Sequence, residues 1–542
     1  MLQFEDYRQI LLEKINKLYG ISKNDVVNNG AYGDFTFKIF RIKEEPQKIL
    51  ESIQKTVKDD FIEKIELKEN YINFYIKPSS MAKTVSDSIA RFGIYPNTFQ
   101  DTSKALIEHT SSNPTGPIHV GRIRNSIIGD SIFRIVERYG TRSCTQYFVN
   151  DSGKQVISLY LGHVKYHSGD EMTVSNLLDG YQKIYDNISK DPEIGREVQK
   201  LDEQYENGDR ELISKIQKTA SIVLDSIKDT LAKLDIKIST YVWESNFLIY
   251  GDVEKMLNSL SDELLIEGNA KYVRVGDRKI FLTREDGTSL YFARDLVYHE
   301  FKAENFDWII DVLGEDHKEH AKNLNFVLKN YMDFQPKIDF VFYGFVSLES
   351  GKMSTRKGNI ITVNDLYDRA LEESRAIIKI KRPGYAEDLV NDISSAVATS
   401  SIRYNIVKIN ANKPVTFRWS EALNFEGDSA PFIMYAYARA SSILEKTDEQ
   451  GELSDDYDEY EKALIKAIYM YPYYIQDAKE FLRADIIAGY LLYLVKSFNE
   501  FYLNCPILNS EYIKKRIKLL RLFKITMEDS CSLIGIKLLN QI

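Results

Sequence analysis

The spacing of apolar and polar residues predicts strands mixed with helices in the first two thirds of the chain and helices in the last third. The first 30 residues suggest a helix, and residues 61–76, FIEKIELKENYINFYI, alternate as in a hairpin that turns near Lys68, Glu69 and Asn70. Short apolar runs predict further strands at 104–110, 144–151, 279–283, 307–314 and 339–346. Beyond Asp365 the spacing becomes helical, in the segments 388–409, 430–446, 459–500 and 510–536.

The order of these elements predicts three domains. A cluster of Pro, Asn, Thr and Ser at 92–104 marks a boundary, so residues 1–95 form a first, α+β domain. A helix expected from about Gly121 to Tyr139 lies between two of the strands, which is how a Rossmann-like, doubly wound parallel sheet begins. This α/β domain is expected to span 100–365, with a charged helical insertion at about 166–275. Residues 366–542 form an all-α domain.

Composition narrows the class of protein without naming it. The chain is 44% hydrophobic and 28% charged, as in ordinary globular proteins. The longest apolar run, Ile486 to Val495, is too short to cross a bilayer, and the N-terminus resembles neither a secretory signal nor a transit peptide. We therefore expect a cytoplasmic protein with no membrane contact. Its three cysteines, Cys144, Cys505 and Cys531, match no zinc spacing and form no disulfide framework.

The net charge of −9 argues against a protein coated in nucleic acid. It leaves room for a local basic face, because phosphate binding depends on where the positive charges lie.

The segment SSNPTGPIHVGRIRN, residues 111–125, carries the first candidate chemistry. It follows a predicted strand and opens a predicted helix, whose free N–H groups and positive dipole end attract phosphate. Gly121 leaves room for a nucleotide to approach the backbone, and His119 can donate to a phosphoryl oxygen as charge builds up. Taken alone, His119 is equally well explained as a cap of the helix.

The segment LESGKMSTRKGNIIT, residues 348–362, is the second one with candidate catalytic residues. Lys352, Arg356 and Lys357 lie among glycine, serine and threonine after a strand, which suits a loop that closes on a pyrophosphate leaving group. Alone, this segment would be read as a solvated basic loop. The two segments together, each at the carboxyl end of a predicted strand, favour a nucleotide triphosphate site.

The two segments resemble the His-Ile-Gly-His and Lys-Met-Ser-Lys-Ser motifs of class I aminoacyl-tRNA synthetases, and the chain is similar to the arginyl-tRNA synthetases in particular. YFVNDSGKQ (147–155), DGTSLYFARD (286–295), GEDHKEH (314–320) and APFIMYAYARASSIL (430–444) follow in the order of that family. GDF (33–35) and YINFYI (71–76) resemble its additional N-terminal domain. Two positions depart from the usual motifs: Arg122 replaces a second histidine, and Arg356 replaces a lysine.

The resemblance implies a reaction and its substrates. ATP activates L-arginine to arginyl-adenylate with release of pyrophosphate, and the 2′-hydroxyl of tRNA(Arg) then displaces AMP. It also implies that tRNA binds before arginine is activated. A magnesium ion is expected to arrive with ATP, with no dedicated metal site in the protein, and the enzyme is expected to be a monomer.

The same resemblance assigns residues to these steps. His119, Lys352 and Arg356 would be catalytic. ATP would contact Pro117, His119, Gly121, Arg122, Lys352, Met353 and Ser354. Arginine would contact Glu108, Ser111, Asn113, Tyr291, Asp295 and His317, because a guanidinium group needs carboxylates in fork geometry. Tyr291 and Asp295 are four residues apart and share one face if their segment is helical. Without the resemblance, Asp295 would be assigned to a surface ion pair with Arg294 or a neighbouring lysine.

The first domain would touch the tRNA elbow and the last would bind the anticodon. The residues implied in tRNA binding are Tyr71, Asn73, Phe432, Tyr435, Arg439, Tyr502 and Arg516. Exposed aromatic side chains suit unpaired bases, although aromatics at helical spacing are more often core. Two alternatives remain: a class I synthetase for another amino acid such as lysine, and a non-catalytic RNA-binding paralogue.

Overall fold

The computed structural model describes residues 6–22, 25–28, 33–92, 103–348 and 361–542. The predicted site residues Lys352, Met353, Ser354 and Arg356 lie outside these ranges. Within them, no helix has both the length and the apolar character needed to cross a membrane.

The N-terminal part is an antiparallel sheet of four strands with three helices. Strands β1–β4 lie in the order β1-β2-β4-β3, and the hairpin of β3 and β4 is confirmed, with Glu69 in the left-handed region at its turn. The elements are α1 (Tyr7–Tyr19), β1 (Val26–Asn28), β2 (Phe35–Lys38), α2 (Pro46–Thr56), β3 (Ile62–Lys68), β4 (Tyr71–Ile76) and α3 (Pro78–Phe92).

The second part is built on a parallel sheet of five strands, which confirms the predicted fold class. Its strands are β5 (Lys104–Glu108), β6 (Arg142–Val149), β7 (Thr240–Trp243), β11 (Trp308–Gly314) and β12 (Lys337–Tyr343), in the order β12-β11-β5-β6-β7. The helix between β5 and β6 is α4 (Val120–Tyr139). From β5 the chain builds outward to β7 and then crosses back to β11, so the order of strands reverses beside β5. Ligands bind at such a switch point, beyond the carboxyl ends of the strands.

The segment between β6 and β11 only partly follows the predicted helical insertion. Its first half is helical: α5 (Lys154–Tyr166), α6 (Val174–Asn187), α7 (Pro192–Glu206) and α8 (Arg210–Lys233). The four residues of β7 then rejoin the parallel sheet, and this run is too short for its pattern to stand out. The rest consists of α9 (Glu244–Ile249), α10 (Asp252–Ser259), β8 (Leu265–Glu267), β9 (Ala270–Val275), β10 (Arg278–Phe281) and α11 (Tyr291–Ala303). The strand predicted at 279–283 therefore belongs to the antiparallel sheet of β8–β10 and not to the parallel one.

The third part is helical, as predicted. It is preceded by α12 (Lys318–Tyr331) and β13 (Val346–Leu348). Its elements, in chain order, are α13 (Val363–Lys381), α14 (Glu387–Val407), β14 (Val415–Phe417), α15 (Trp419–Ala422), α16 (Ala430–Leu444), α17 (Glu459–Tyr469), α18 (Tyr471–Glu480), α19 (Asp485–Asn504) and α20 (Ile513–Ile534). Strand β14 pairs in parallel with β13. The apolar stretch 459–500 is divided among three helices, because Pro472 starts a new helix and Leu482 adopts a left-handed conformation.

The N-terminal sheet packs against this helical part. Lys466 on α17 forms an ion pair with Asp34 at 2.9 Å and donates to the carbonyl of Gly33 at 3.1 Å. The hydroxyl of Tyr473 donates to Asp6 at 2.8 Å. The two outer parts of the molecule therefore contact each other directly.

Candidate active site

The loop from β5 leads into the N-terminus of α4, so the positive end of this helix dipole lies at the switch point of the sheet. His119 is the N-cap of α4, and its Nδ1 accepts the backbone N–H of Gly121 at 3.1 Å. Burial, and secondarily the charge of Arg122, lowers the pKa of His119, so its imidazole is neutral at pH 7. Because Nδ1 serves the cap, Nε2 is the nitrogen that can face a ligand. The capping explanation of His119 and the phosphate explanation are therefore compatible.

The start of this loop is held in an unusual backbone conformation. Thr110 and Ser111 have φ of 74° and 26°, in the left-handed region where non-glycine residues are strained. Helix α4 holds them there: Asn125 accepts the backbone N–H of Thr110 at 2.9 Å, and the hydroxyls of Thr110 and Ser126 are 2.9 Å apart. The bend places Ser111 back over the end of β5, where its hydroxyl donates to Glu108 at 2.8 Å.

The two ends of the second candidate segment are attached to the first turns of α4. On one side, Val120 donates to the carbonyl of Ile361 at 3.1 Å and Val363 donates to that of Ile118 at 2.9 Å. On the other side, the buried Arg124 donates to the carbonyl of Gly344 at 2.8 Å. Lys352 and Arg356 lie between these anchors in sequence, so the chain that carries them leaves from and returns to the helix that His119 caps.

The residues predicted to bind arginine lie around the carboxyl ends of β5 and β11 and the start of α11. Tyr291 and Asp295 occupy one face of α11, and the charge of Asp295, followed by that of Glu108, raises the pKa of Tyr291. Asp295 accepts a hydrogen bond from Nε2 of His320 at 2.6 Å, and the rings of Tyr291 and His320 are 5.2 Å apart. The alternative explanation of Asp295, a surface pair with Arg294, is absent among the ion pairs of the described residues; Arg294 instead binds Glu206 and Glu244.

The remaining predicted arginine ligands lie at the edges of this pocket. His317 is half-exposed, with its ring 6.4 Å from that of His320. Asn113 donates to Gln155 at 3.5 Å, next to a cavity that Asn113 and Tyr291 both line. Ser111 also accepts the backbone N–H of Phe148 at 3.2 Å, so its hydroxyl is used within the fold.

Three charged side chains behind the pocket did not emerge from the sequence. Lys302 is buried between Glu108, at 2.6 Å, and Asp311, at 2.9 Å. His299 lies 2.9 Å from Asp311 and 3.2 Å from Asp295. Positions 295, 299 and 302 follow the helical spacing i, i+4, i+7. That recurrence of charge on one face of a helix is the signal that could have revealed His299 and Lys302, whereas Asp311 lies on β11, outside this pattern.

The predicted tRNA-binding residues fall into two groups. Tyr435, Arg439 and Tyr502 come together, with the guanidinium carbon of Arg439 4.8 Å and 4.5 Å from the two ring centres. Phe432 lines the adjoining cavity of about 510 Å³. Tyr71 is partly exposed and packs edge to face on the exposed Phe40, at 5.1 Å.

Asn73 and Arg516 are buried instead. Asn73 accepts a hydrogen bond from Thr36 at 2.7 Å inside the N-terminal sheet. Arg516 binds Glu461 at 2.8 Å and Asp458 at 3.2 Å. The side-chain oxygen of Asn73 and the guanidinium group of Arg516 are engaged within the fold, so this arrangement supports an internal role for both residues.

Comparison with known proteins agrees with this geometry. Residues 84–419 match the family described as tRNA synthetases class I (R), catalytic domain, and residues 433–542 match the DALR anticodon binding domain. A parallel sheet with a His-x-Gly helix start at its switch point, joined to these matches, defines a class I aminoacyl-tRNA synthetase.

Individual relatives narrow the class to one family. The chain is 46% identical to an arginine–tRNA ligase of Thermoplasma acidophilum over 100% of both chains, and 35% identical to that of Methanocaldococcus jannaschii over 98% of this chain and 97% of the relative. Its fold matches the arginyl-tRNA synthetase of Thermus thermophilus with a TM-score of 0.86 at 22% identity, over 100% of both chains. The chain belongs to the arginyl-tRNA synthetase family, which joins arginine to tRNA at the expense of ATP.

Proposed function

We propose that this chain activates L-arginine with ATP and esterifies it to the 3′ end of tRNA(Arg). The observation that carries the proposal is the pair of carboxylates, Glu108 and Asp295, held beside the loop that leads from β5 to His119. Ser111 bonds Glu108 and belongs to the loop that ends at His119. An acidic pocket next to a helix N-terminus suits a substrate with a cationic head and a carboxylate that must meet a phosphate.

In the first step, a carboxylate oxygen of arginine attacks the α-phosphorus of ATP and pyrophosphate leaves. Positioning and charge stabilisation supply the catalysis, with no covalent enzyme intermediate. Nε2 of His119 donates to a phosphoryl oxygen, while Pro117, Gly121 and Arg122 form the wall next to the nucleotide. Lys352 and Arg356 neutralise the leaving group, and Met353 and Ser354 complete the nucleotide contacts.

Arginine is bound at both ends. Glu108, Asp295 and the hydroxyl of Tyr291 receive the guanidinium group, and Ser111 orients Glu108 for it. Asn113 and His317 hold the α-amino and carboxylate end. In the second step, the 2′-hydroxyl of the terminal tRNA nucleotide attacks the carbonyl carbon of the adenylate, and AMP leaves.

The outer domains hold the tRNA. Tyr71 is proposed to stack on an unpaired base of the tRNA elbow, and Phe432, Tyr435, Arg439 and Tyr502 to form the anticodon surface. Asn73 and Arg516 support these surfaces from within. The proposed domains are 1–95, 100–365 and 366–542. We also propose that the protein acts as a cytoplasmic monomer and that magnesium is brought by ATP, where it neutralises phosphate charge.

Aminoacylation with each of the 20 amino acids separately, using total tRNA and ATP, tests this proposal. We expect charging with arginine alone. Charging with another amino acid such as lysine would favour a different class I specificity, and tRNA binding without any charging would favour a non-catalytic paralogue. Either result would reject the proposal.

The variant Asp295→Asn supplies a matched test of the pocket. It keeps the size of the side chain and removes its charge, so we expect the KM for arginine to rise about 100-fold or more, as for loss of a buried charge-assisted contact. The KM for ATP should stay within about threefold, because the nucleotide contacts lie on the other side of the site.

A further inference from the structure

A buried set of charged side chains connects the two carboxylates of the proposed arginine pocket from behind. In order, Glu108 contacts Lys302, Lys302 contacts Asp311, Asp311 contacts His299, and His299 contacts Asp295, at 2.6, 2.9, 2.9 and 3.2 Å. Lys302 is fully buried, and His299 and Asp311 are nearly so. We call Lys302, Asp311 and His299 the buried array.

The array joins three elements: α11 and β11, which are consecutive in the chain, and β5, which is distant from both in sequence. Glu108 ends β5, and Asp311 lies opposite it in register on the neighbouring strand β11. His299 and Lys302 lie on α11, which also carries Asp295. Asp311 is therefore the point where the sheet and the helix are tied together, and its two oxygens are bonded to one cation each.

The charges of the array are fixed at neutral pH. Burial and the charge of Lys302 lower the pKa of His299, but Asp295 and Asp311 outweigh them and raise it to about 9. Lys302 keeps its proton because Asp311 and Glu108 more than offset its burial. Among these five groups the three carboxylates outnumber the two cations by one; His320, which bonds Asp295 from outside the array, is not counted.

We propose that Lys302, Asp311 and His299 are positioning residues that fix Glu108 and Asp295 relative to each other, in a group of five whose carboxylates outnumber its cations by one. A flat monocation with donors on several edges, such as a guanidinium, then bridges two carboxylates that cannot turn away from it. The array does not touch the substrate. This inference rests on the proposed function, because it assumes that arginine is the amino acid bound at Glu108 and Asp295.

Steady-state kinetics of the full chain carrying Asp311→Asn provide the test. The amide keeps the shape but weakens the hold on Lys302 and His299 and removes the excess charge. We expect the KM for arginine to rise about 10–100-fold, as for loss of a residue that orients a ligand-binding group, with kcat and the KM for ATP within about threefold. The preference for arginine over citrulline, its neutral analogue, measured as the ratio of the inhibition constant of citrulline to the KM for arginine, should fall at least about tenfold.

Two further variants keep the test decisive. Lys302→Met/Asp311→Leu replaces the pair with apolar side chains, which removes the risk of an unpaired buried charge and leaves the net charge at −1. It should also raise the KM for arginine, because Glu108 loses its contact with Lys302 and His299 loses its contact with Asp311 on the sheet. Asp339→Asn, on the neighbouring strand β12 and bonded to Trp308 at 2.7 Å, is the matched control and should behave as wild type.

The outcomes separate the two proposals. If the wild-type enzyme charges arginine and the KM for arginine is unchanged in both Asp311→Asn and the double variant, the positioning role is wrong while the proposed function stands. If the wild-type enzyme charges a different amino acid, both are wrong.

Discussion

His119 illustrates how one side chain can serve fold and chemistry through different atoms. Its Nδ1 caps α4 by accepting the N–H of Gly121, which stabilises the start of the helix that is proposed to receive the phosphates. Its Nε2 is the proposed donor to the transferring phosphoryl group. The two roles are separable, because asparagine is an equally good N-cap and has no imidazole.

We therefore predict that His119→Asn keeps the stability of the protein and loses most of its activity. The midpoint of urea unfolding should remain near the wild-type value, whereas kcat for adenylate formation, measured by pyrophosphate exchange, should fall about 100–1,000-fold. His119→Ala should lose both activity and stability, because removal of the cap costs about 1 kcal/mol of unfolding free energy. Near-normal exchange in His119→Asn would mean that His119 only caps the helix.

His109 is a second histidine of this region and has no chemical role in the proposal. It is fully buried beneath α4, and burial lowers its pKa to about 4. Its Nδ1 lies 2.9 Å from the hydroxyl of Thr110, so it helps to hold the strained loop start. Gly129 makes room for it, because an added Cβ there would lie 2.3 Å from the Cβ of His109.

The low pKa of His109 predicts a loss of stability in mild acid. The unfolded chain takes up a proton near pH 6.5 and the folded one only near pH 4, so the contribution is complete above pH 6.5 and disappears as the pH falls towards 4. We expect the stability of wild type relative to His109→Asn, from urea unfolding at pH 7 and 4.5, to shrink by about 2–3 kcal/mol. A pH-independent difference would show that His109 does not titrate in this way.

At the scale of elements, close helix crossings depend on glycine. Helices α5 and α6 meet at Gly162 and Gly180, and a Cβ added at Gly162 would lie 2.4 Å from the carbonyl carbon of Gly180. This crossing fixes the first half of the segment inserted between β6 and β7. Gly489 on α19 is also helical, but it is exposed and no other atom lies within 4 Å of its Cβ position.

Alanine at these two glycines should therefore have opposite effects. Gly162→Ala forces the helices apart and should destabilise the protein by about 1–3 kcal/mol. Gly489→Ala only removes backbone freedom and should stabilise it by about 0.5–1 kcal/mol. Urea unfolding of both variants makes the comparison, and a stabilising Gly162→Ala would contradict the close crossing.

The sequence predicted elements well where local rules decide them. Helix α4 was expected from Gly121 to Tyr139 and begins one residue earlier; it ends where Gly140 turns left-handed. The same rules could not place β7, because four residues carry too little pattern. They also could not reveal that Lys302 contacts Glu108, because that contact depends on which strands become neighbours. Asn73 and Arg516 are a similar case, because their partners Thr36 and Glu461 are distant in sequence.

At the scale of the whole molecule, one buried arginine joins the catalytic and helical parts. Arg403 on α14 pairs with Asp130 on α4, and it donates to the carbonyls of Leu234 and Ile534 at 2.9 and 2.8 Å. Those carbonyls follow α8 and end α20. Four elements from both parts therefore share one guanidinium group, which ties the helical part to α4.

Replacing this arginine should cost much more than replacing a surface one. Arg403→Met leaves two buried carbonyls and part of Asp130 without partners, and we expect about 3–5 kcal/mol of destabilisation. Arg418→Met removes a half-exposed pair with Glu421 at 3.1 Å and should cost less than about 1 kcal/mol. Equal urea midpoints for the two variants would contradict the junction role of Arg403.

We infer that the pocket of Glu108 and Asp295 and the helix that His119 caps form one site for arginine and ATP. A crystal structure with a non-hydrolysable arginyl-adenylate analogue tests it most directly. We predict that the guanidinium group lies within hydrogen-bonding distance of both Glu108 and Asp295, with the phosphate analogue at Nε2 of His119. A head group bound elsewhere, or a phosphate away from the start of α4, would show that arginine and ATP do not share this site.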